Sequence, residues 1–331
     1  MNIPIRKLFP ALILSFGLTA CGGGGGDDDD TTDSGFTAVR GHFQQDGLWL
    51  LEAEITVNSE QTVSSGTGET VTGQATFTMN MVTQQVVDYT DDNQITIKSC
   101  DATEPVEVMS LNEIEQEQYF SSDEDFEDFC PSETHSFEAV SDDQFRIQVR
   151  CGSKLSATIN VTRISDTPEF NAGSLNFTKM DGESNELPPL NASSGVCGNI
   201  MRVSGSVDFP DGNALGQPDI DIKSTYVEIG VLDYLGKPLV LEMFFQFNPV
   251  ESGDYSVAFG TNANIVSIRM EEAASGALLA GNGGLVSVTE VLDDAMTGTF
   301  DMTLIQLEDA PAGPPPSYNY VGSFGLDLDP R

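Results

Sequence analysis

The residues of this chain that could do chemistry are few in kind: five cysteines, two histidines and 52 carboxylates. Cys100, Cys130, Cys151 and Cys197 show no CxxC spacing, so neither a redox motif nor a zinc knuckle is expected. An even number of this kind points to two structural disulfides in an oxidising compartment. Of three connectivities, Cys100–Cys130, which would staple the base of an acidic insertion, and Cys151–Cys197, which would tie down the domain's exit, are the expected ones. His42 lies near the entry to the folded part and His135 at the start of a strand, and both read as surface residues. A Ser-His-Asp triad needs a serine on a sharp turn, and no Gly-x-Ser-x-Gly elbow surrounds any serine. No Walker loop or Gly-x-Gly-x-x-Gly precedes a helix pattern. With this many carboxylates, some pair will fall at any separation a glycosidase needs, so their number identifies no catalytic residue. Calcium is the one cofactor the composition admits, and none is required. Asp27–Asp30 with Asp33, the run Asp123–Asp128, and Asp208, Asp211, Asn213, Asp219 and Asp221 cluster oxygen donors, although none has EF-hand spacing. The last set is the best placed, since Pro210, Gly212 and Pro218 stiffen a loop held between strands. Solvated surface charge accounts for all three sets.

The formal net charge is −38. Nucleic acid is excluded as a partner, because binding it depends on neutralising phosphates with Lys and Arg. Self-repulsion at this charge density is eased by salt, which shortens the Debye length to a few ångström.

The elements that place these residues begin with residues 1–20. Arg6 and Lys7 form a positive start, Leu8–Leu18 is apolar apart from Pro10, Ser15 and Gly17, and Leu18-Thr19-Ala20-Cys21 closes the segment. The apolar run is too short for a membrane span and is built like a signal peptide. Leu18-Thr19-Ala20-Cys21 resembles the lipobox of bacterial lipoproteins. That resemblance implies cleavage before Cys21, acylation of Cys21 with chains such as palmitate, and a mature protein anchored to a membrane without spanning it. Gly22, directly after the cysteine, lacks the aspartate that marks inner-membrane retention in such lipoproteins, which implies the outer membrane with its facing open. Residues 21–35, rich in Gly and Asp, carry almost nothing to bury and read as an extended, disordered tether.

From residue 36 the hydrophobic pattern has period two. Val71, Gly73, Ala75, Phe77, Met79 and Met81 alternate with polar residues, as do Phe145, Ile147 and Val149, and Leu155, Ala157, Ile159 and Val161. Such alternation marks antiparallel strands with one buried and one wet face. Met109–Phe129 breaks the rhythm and reads as one or two short helices or an acidic loop. The expected organisation is a β domain over 36–185 with an acidic insertion near 105–133, a linker at 186–198 containing Pro188 and Pro189, and a second β domain over 199–331.

Gly47-Leu48-Trp49 at the start of a long strand resembles the entry of lipocalin-like barrels. Residues 199–331 resemble small β modules at the C-terminus of uncharacterised bacterial lipoproteins, through Gly253-Asp254-Tyr255, Gly298-Thr299-Phe300 and Gly322-Ser323-Phe324. Together these imply an all-β fold of two antiparallel, calycin-like barrels or sandwiches, with no catalytic residues carried over. The functional expectation is a lipid-anchored envelope protein with a non-enzymatic binding or structural role, presenting two β domains to an envelope protein partner or a small ligand. Leu239, Leu241, Met243, Phe245 and Phe247, with Val240 and Phe244 on the opposite face, leave open a carrier of an apolar small molecule. A carboxylate-based envelope hydrolase would require two acidic residues buried together.

Overall fold

A computed structural model describes residues 35–65, 68–90, 93–100, 106–112, 134–181, 189–245, 250–258, 264–272, 277–307 and 315–331. The signal segment, Cys21, the tether, most of the acidic insertion with Cys130, most of the linker, and Phe247 lie outside these residues. The described chain is almost entirely β, with one helix: α1 (Phe36–Phe43), β1 (Gly47–Ser64), β2 (Thr70–Thr90), β3 (Gln94–Lys98), β4 (Glu107–Ser110), β5 (Thr134–Ser141), β6 (Gln144–Cys151), β7 (Leu155–Ser165), β8 (Gly173–Asp181), β9 (Leu190–Ala192), β10 (Val196–Asp208), β11 (Ile220–Tyr234), β12 (Lys237–Phe245), β13 (Gly253–Val257), β14 (Ile265–Glu272), β15 (Ala277–Val291), β16 (Ala295–Gln306) and β17 (Ser317–Asp327). Among the described residues no helix is long and apolar enough to cross a membrane. The described strands pair within one sheet, which fits the all-β expectation; a split into two barrels or sandwiches is the finer reading.

By contacts the chain forms two compact units. The first takes the described residues within Met1–Trp49, Gln85–Ser99 and Pro105–Pro168, and the second those within Leu50–Gln84, Cys100–Glu104 and Glu169–Arg331. This partition differs from a single cut near 186–198. The β1–β2 hairpin supplies its base to the first unit and its outer part to the second, because strands of 18 and 21 residues outrun one core.

In the first unit β5, β6 and β7 form an antiparallel meander, β7 adjoins β1, and β2, β3 and β4 continue the order. Met109 and Ser110, placed in the irregular segment by pattern, belong to β4 and pair with Ile95 and Gln94. Helix α1 stands where strand was expected. Phe36, Val39 and Phe43 recur at helical spacing and are buried. Phe36 meets Phe43 at 5.7 Å and Phe137 edge-on at 5.4 Å. The helix starts from Gly35 at φ 80°, where a Cβ would lie 2.2 Å from the Phe137 carbonyl oxygen, so only glycine fits. Trp49 is 2% exposed and packs edge-on against Phe145 at 5.9 Å, as a core residue.

The second unit runs β2, β10, β11, β12, β14, β15, β16, β17, β8 and β9 in hydrogen-bonded order, antiparallel throughout. Short β13 lies parallel to β14 and antiparallel to β15. One face is apolar: Leu241, Met243, Val266, Ile268, Met296, Phe300, Leu304, Tyr320 and Leu326 are all buried. The other face carries exposed cross-strand pairs, such as Thr289 with Thr297 at 2.9 Å and Thr303 donating to Asn319 at 2.8 Å.

The β11–β12 hairpin turns on Leu235 and Gly236 with φ of 56° and 83°, and Asp233 Oδ1 accepts the Gly236 N–H. Left-handed backbone suits Asn in such two-residue turns and penalises a branched apolar side chain. Leu235 is 57% exposed, so the leucine buries little in return. Leu235→Asn is expected to stabilise the protein by about 1 kcal/mol, read as a rise in urea midpoint; an unchanged or lower midpoint would refute this.

Candidate functional site

Cys100 pairs with Cys197, not with Cys130, and both Cys100 and Cys197 are buried. The expected Cys100–Cys130 and Cys151–Cys197 pairings are therefore corrected. The cause is spatial: Cys100 follows β3 and meets the start of β10, where Cys197 stands opposite Gly230 of β11. A Cβ at Gly230 would lie 2.7 Å from Cys197 Sγ and 2.8 Å from Cys100 Sγ. The missing side chain is what lets the disulfide lie against the sheet. Cys151 is also disulfide-bonded.

His42 is 8% exposed rather than a surface residue, and its Nε2–H donates to the Ser141 carbonyl at 2.6 Å. Helix α1 turns it inward beside Phe145, ring centres 5.5 Å apart. His135 is half-buried on β5.

The loop holding the calcium candidates is tied by its own hydrogen bonds. Asp219 accepts the Phe209 N–H at 2.9 Å. Asn213 donates to the Pro210 and Gln217 carbonyls at 3.1 and 2.9 Å, and its Oδ1 accepts the Gln217 N–H at 2.9 Å. Asp208, Asp211 and Asp221 point to solvent. Among the described residues no three His, Cys, Asp or Glu side chains gather to hold a metal.

A continuous polar arrangement lies elsewhere among the described residues, on the face of β10, β11, β12 and β14 opposite the apolar one. The register sets Asn199 against Glu228, Glu228 against Glu242, and Glu242 against Arg269, forming a row across four strands. Tyr226 stands one step along on the same face of β11. Its hydroxyl oxygen is 2.8 Å from Glu228 Oε2 and 2.9 Å from Glu242 Oε1. Asn199 Nδ2 donates to Glu228 Oε1 at 3.2 Å. Arg269 Nε is 3.5 Å from Glu242 Oε2, and its other end is 3.4 Å from Glu271. Glu228 is 9% exposed, unusual for a carboxyl group. Burial first, then the charges of Glu228 and Glu242 and the hydrogen bonds to them, raise the Tyr226 hydroxyl far above its ordinary range, so it stays protonated.

Pattern reading missed this row, although a signal was there. Glu228 sits between Val227 and Ile229, Glu242 between Leu241 and Met243, and Arg269 between Ile268 and Met270. One charged residue at the centre of each apolar strand is unusual; only strand order and register show that they meet. No family model, curated protein or solved structure matches the chain.

Proposed function

We propose that the protein is a lipid-anchored envelope protein with a non-enzymatic binding or structural role. Cys21 holds it to the outer membrane, and an acidic tether presents its β units to a partner. The lipobox-like sequence supports the anchor, and the polar strand faces of the second unit support a solvated, presented module. Calycin-like architecture is the finer reading of each unit.

The observation that favours a binding or structural role over a carrier is the packing of β12. Leu239, Leu241, Met243 and Phe245 keep at most 1% of their surface uncovered. Protein atoms already contact these side chains on every side, as in a filled core. The Glu228 and Glu242 pair is the observation that speaks for a carboxylate hydrolase, but both glutamates are occupied by Tyr226. Calcium remains a proposal for the Asp208–Asp221 loop alone.

The anchor is tested by Cys21→Ala. The variant is expected to move from the membrane pellet to the soluble fraction and to lose incorporation of labelled palmitate. A variant that stayed in the pellet would sink the anchored reading. Native mass spectrometry of the wild-type chain from envelopes is expected to show no bound small molecule; a ligand mass lost on denaturation would make the carrier reading the better one.

A further inference from the structure

Cys100 keeps 2% of its surface exposed and Cys197 none. Their bridge lies against β11, where the register sets Cys197 opposite Gly230. A single carbon added at Gly230 would stand 2.7 Å from Cys197 Sγ, 2.8 Å from Cys100 Sγ and 3.0 Å from the Cys100 carbonyl oxygen. The neighbouring pairs, Val196 with Val231 and Gly198 with Ile229, flank this contact, and Val196, Ile229 and Val231 are buried. The folded sheet thus holds two sulfur atoms at this point and has no space for a third.

That limit bears on how the bridge is made. Disulfides form by exchange, in which a thiolate attacks a disulfide sulfur and a mixed disulfide stands between reactants and products. A bridge installed by an oxidoreductase therefore passes through a state with the enzyme's sulfur bonded to Cys100 or Cys197. That sulfur lies ~2.05 Å from its partner and brings its own chain with it. Beside Gly230 even one added carbon would clash.

We infer that the chain is the substrate of a disulfide-bearing thiol oxidoreductase, which acts on Cys100 and Cys197 before β11 pairs with β10. One of the two thiolates attacks the enzyme's disulfide and displaces one enzyme thiolate. The other then attacks the mixed disulfide at the chain's own sulfur, and the enzyme leaves as a dithiol. The two cysteines lose two electrons and two protons, and the enzyme's cysteines gain both. β11 then settles over the finished bridge and puts it out of reach. The inference rests on the oxidising compartment of the proposed function and not on acylation of Cys21.

Reduction of the native bridge must retrace the same mixed disulfide, which gives the first test. The full chain in detergent is exposed to a small dithiol reductant, folded and in urea, and its thiols are located by alkylation and peptide mass spectrometry. Alkylation of Cys100 and Cys197 is expected to be more than about a thousandfold slower in the folded chain, since it must wait for the rare open state. Comparable rates in the two conditions would overturn the inference. The forward direction is tested by order of addition. Reduced chain is diluted from urea with oxidised glutathione present from the start, or added once the sheet signal in circular dichroism has returned. The Cys100–Cys197 peptide is expected in the first sample and not in the second; equal yields would overturn the inference. A reduced chain that never regains the sheet signal leaves bridging first as the only order, and so supports it. Neither test depends on whether Cys21 carries lipid.

Discussion

Cys197→Ser is expected to destabilise the protein by about 4–5 kcal/mol, the chain-entropy value for a disulfide that closes a loop of about 100 residues. Cys100 and Cys197 are 97 residues apart in sequence. The bridge joins the exit of β3 to the first turn of pairing between β10 and β11, so the reduced unfolded chain regains freedom over a long stretch. The packing argues in the same direction. Gly230 leaves a gap sized for two sulfur atoms, and a serine hydroxyl would sit there beside an unpaired thiol without filling it. Urea unfolding of the variant beside wild type under oxidising conditions measures the loss. A difference below about 1 kcal/mol would mean that the bridge adds little to a sheet already held by its ladders. A bulkier residue at Gly230 would act on the same gap from the opposite side.

Phe145→Ala is expected to cost about 3–5 kcal/mol, the range for truncating a buried aromatic. Phe145 is 2% exposed at the centre of the first unit, with ring centres 4.8 Å from Phe43, 5.5 Å from His42 and 5.9 Å from Trp49. It is the contact through which α1 and the start of β1 share one core with β6. Trp49 is the only tryptophan in the chain, so its fluorescence reports on this core specifically. The variant should show a red-shifted Trp49 emission in the folded state and a lower urea midpoint. Unchanged emission with a loss below about 1 kcal/mol would show that the neighbouring rings close over the cavity.

Strand content was legible because period two needs no tertiary information: Phe145, Ile147 and Val149 alternate with polar residues and are all buried in β6. Helix α1 was hidden because three buried apolar residues in an eight-residue element make a faint pattern, and tertiary contacts to Phe137 and Phe145 hold it in place. His42 looked like a surface residue for the same reason. The calcium candidates were legible as a loop, but that Asp219 Oδ1 and Asn213 Oδ1 already accept the Phe209 and Gln217 N–H groups was not.

By itself the sequence determined the β class of the chain, its acidity, the lipobox-like segment ending at Cys21, and which face of most strands is apolar. These follow from composition and local periodicity, which depend only on near neighbours along the chain. Tertiary structure alone decided that Cys100 meets Cys197, that the β1–β2 hairpin serves two units, and that Asn199, Glu228, Glu242 and Arg269 form one row. Each of these joins residues that are not near neighbours along the chain. Register sets them, and register is chosen by the summed burial of whole strands, since a slip of one residue would turn every side chain to the opposite face.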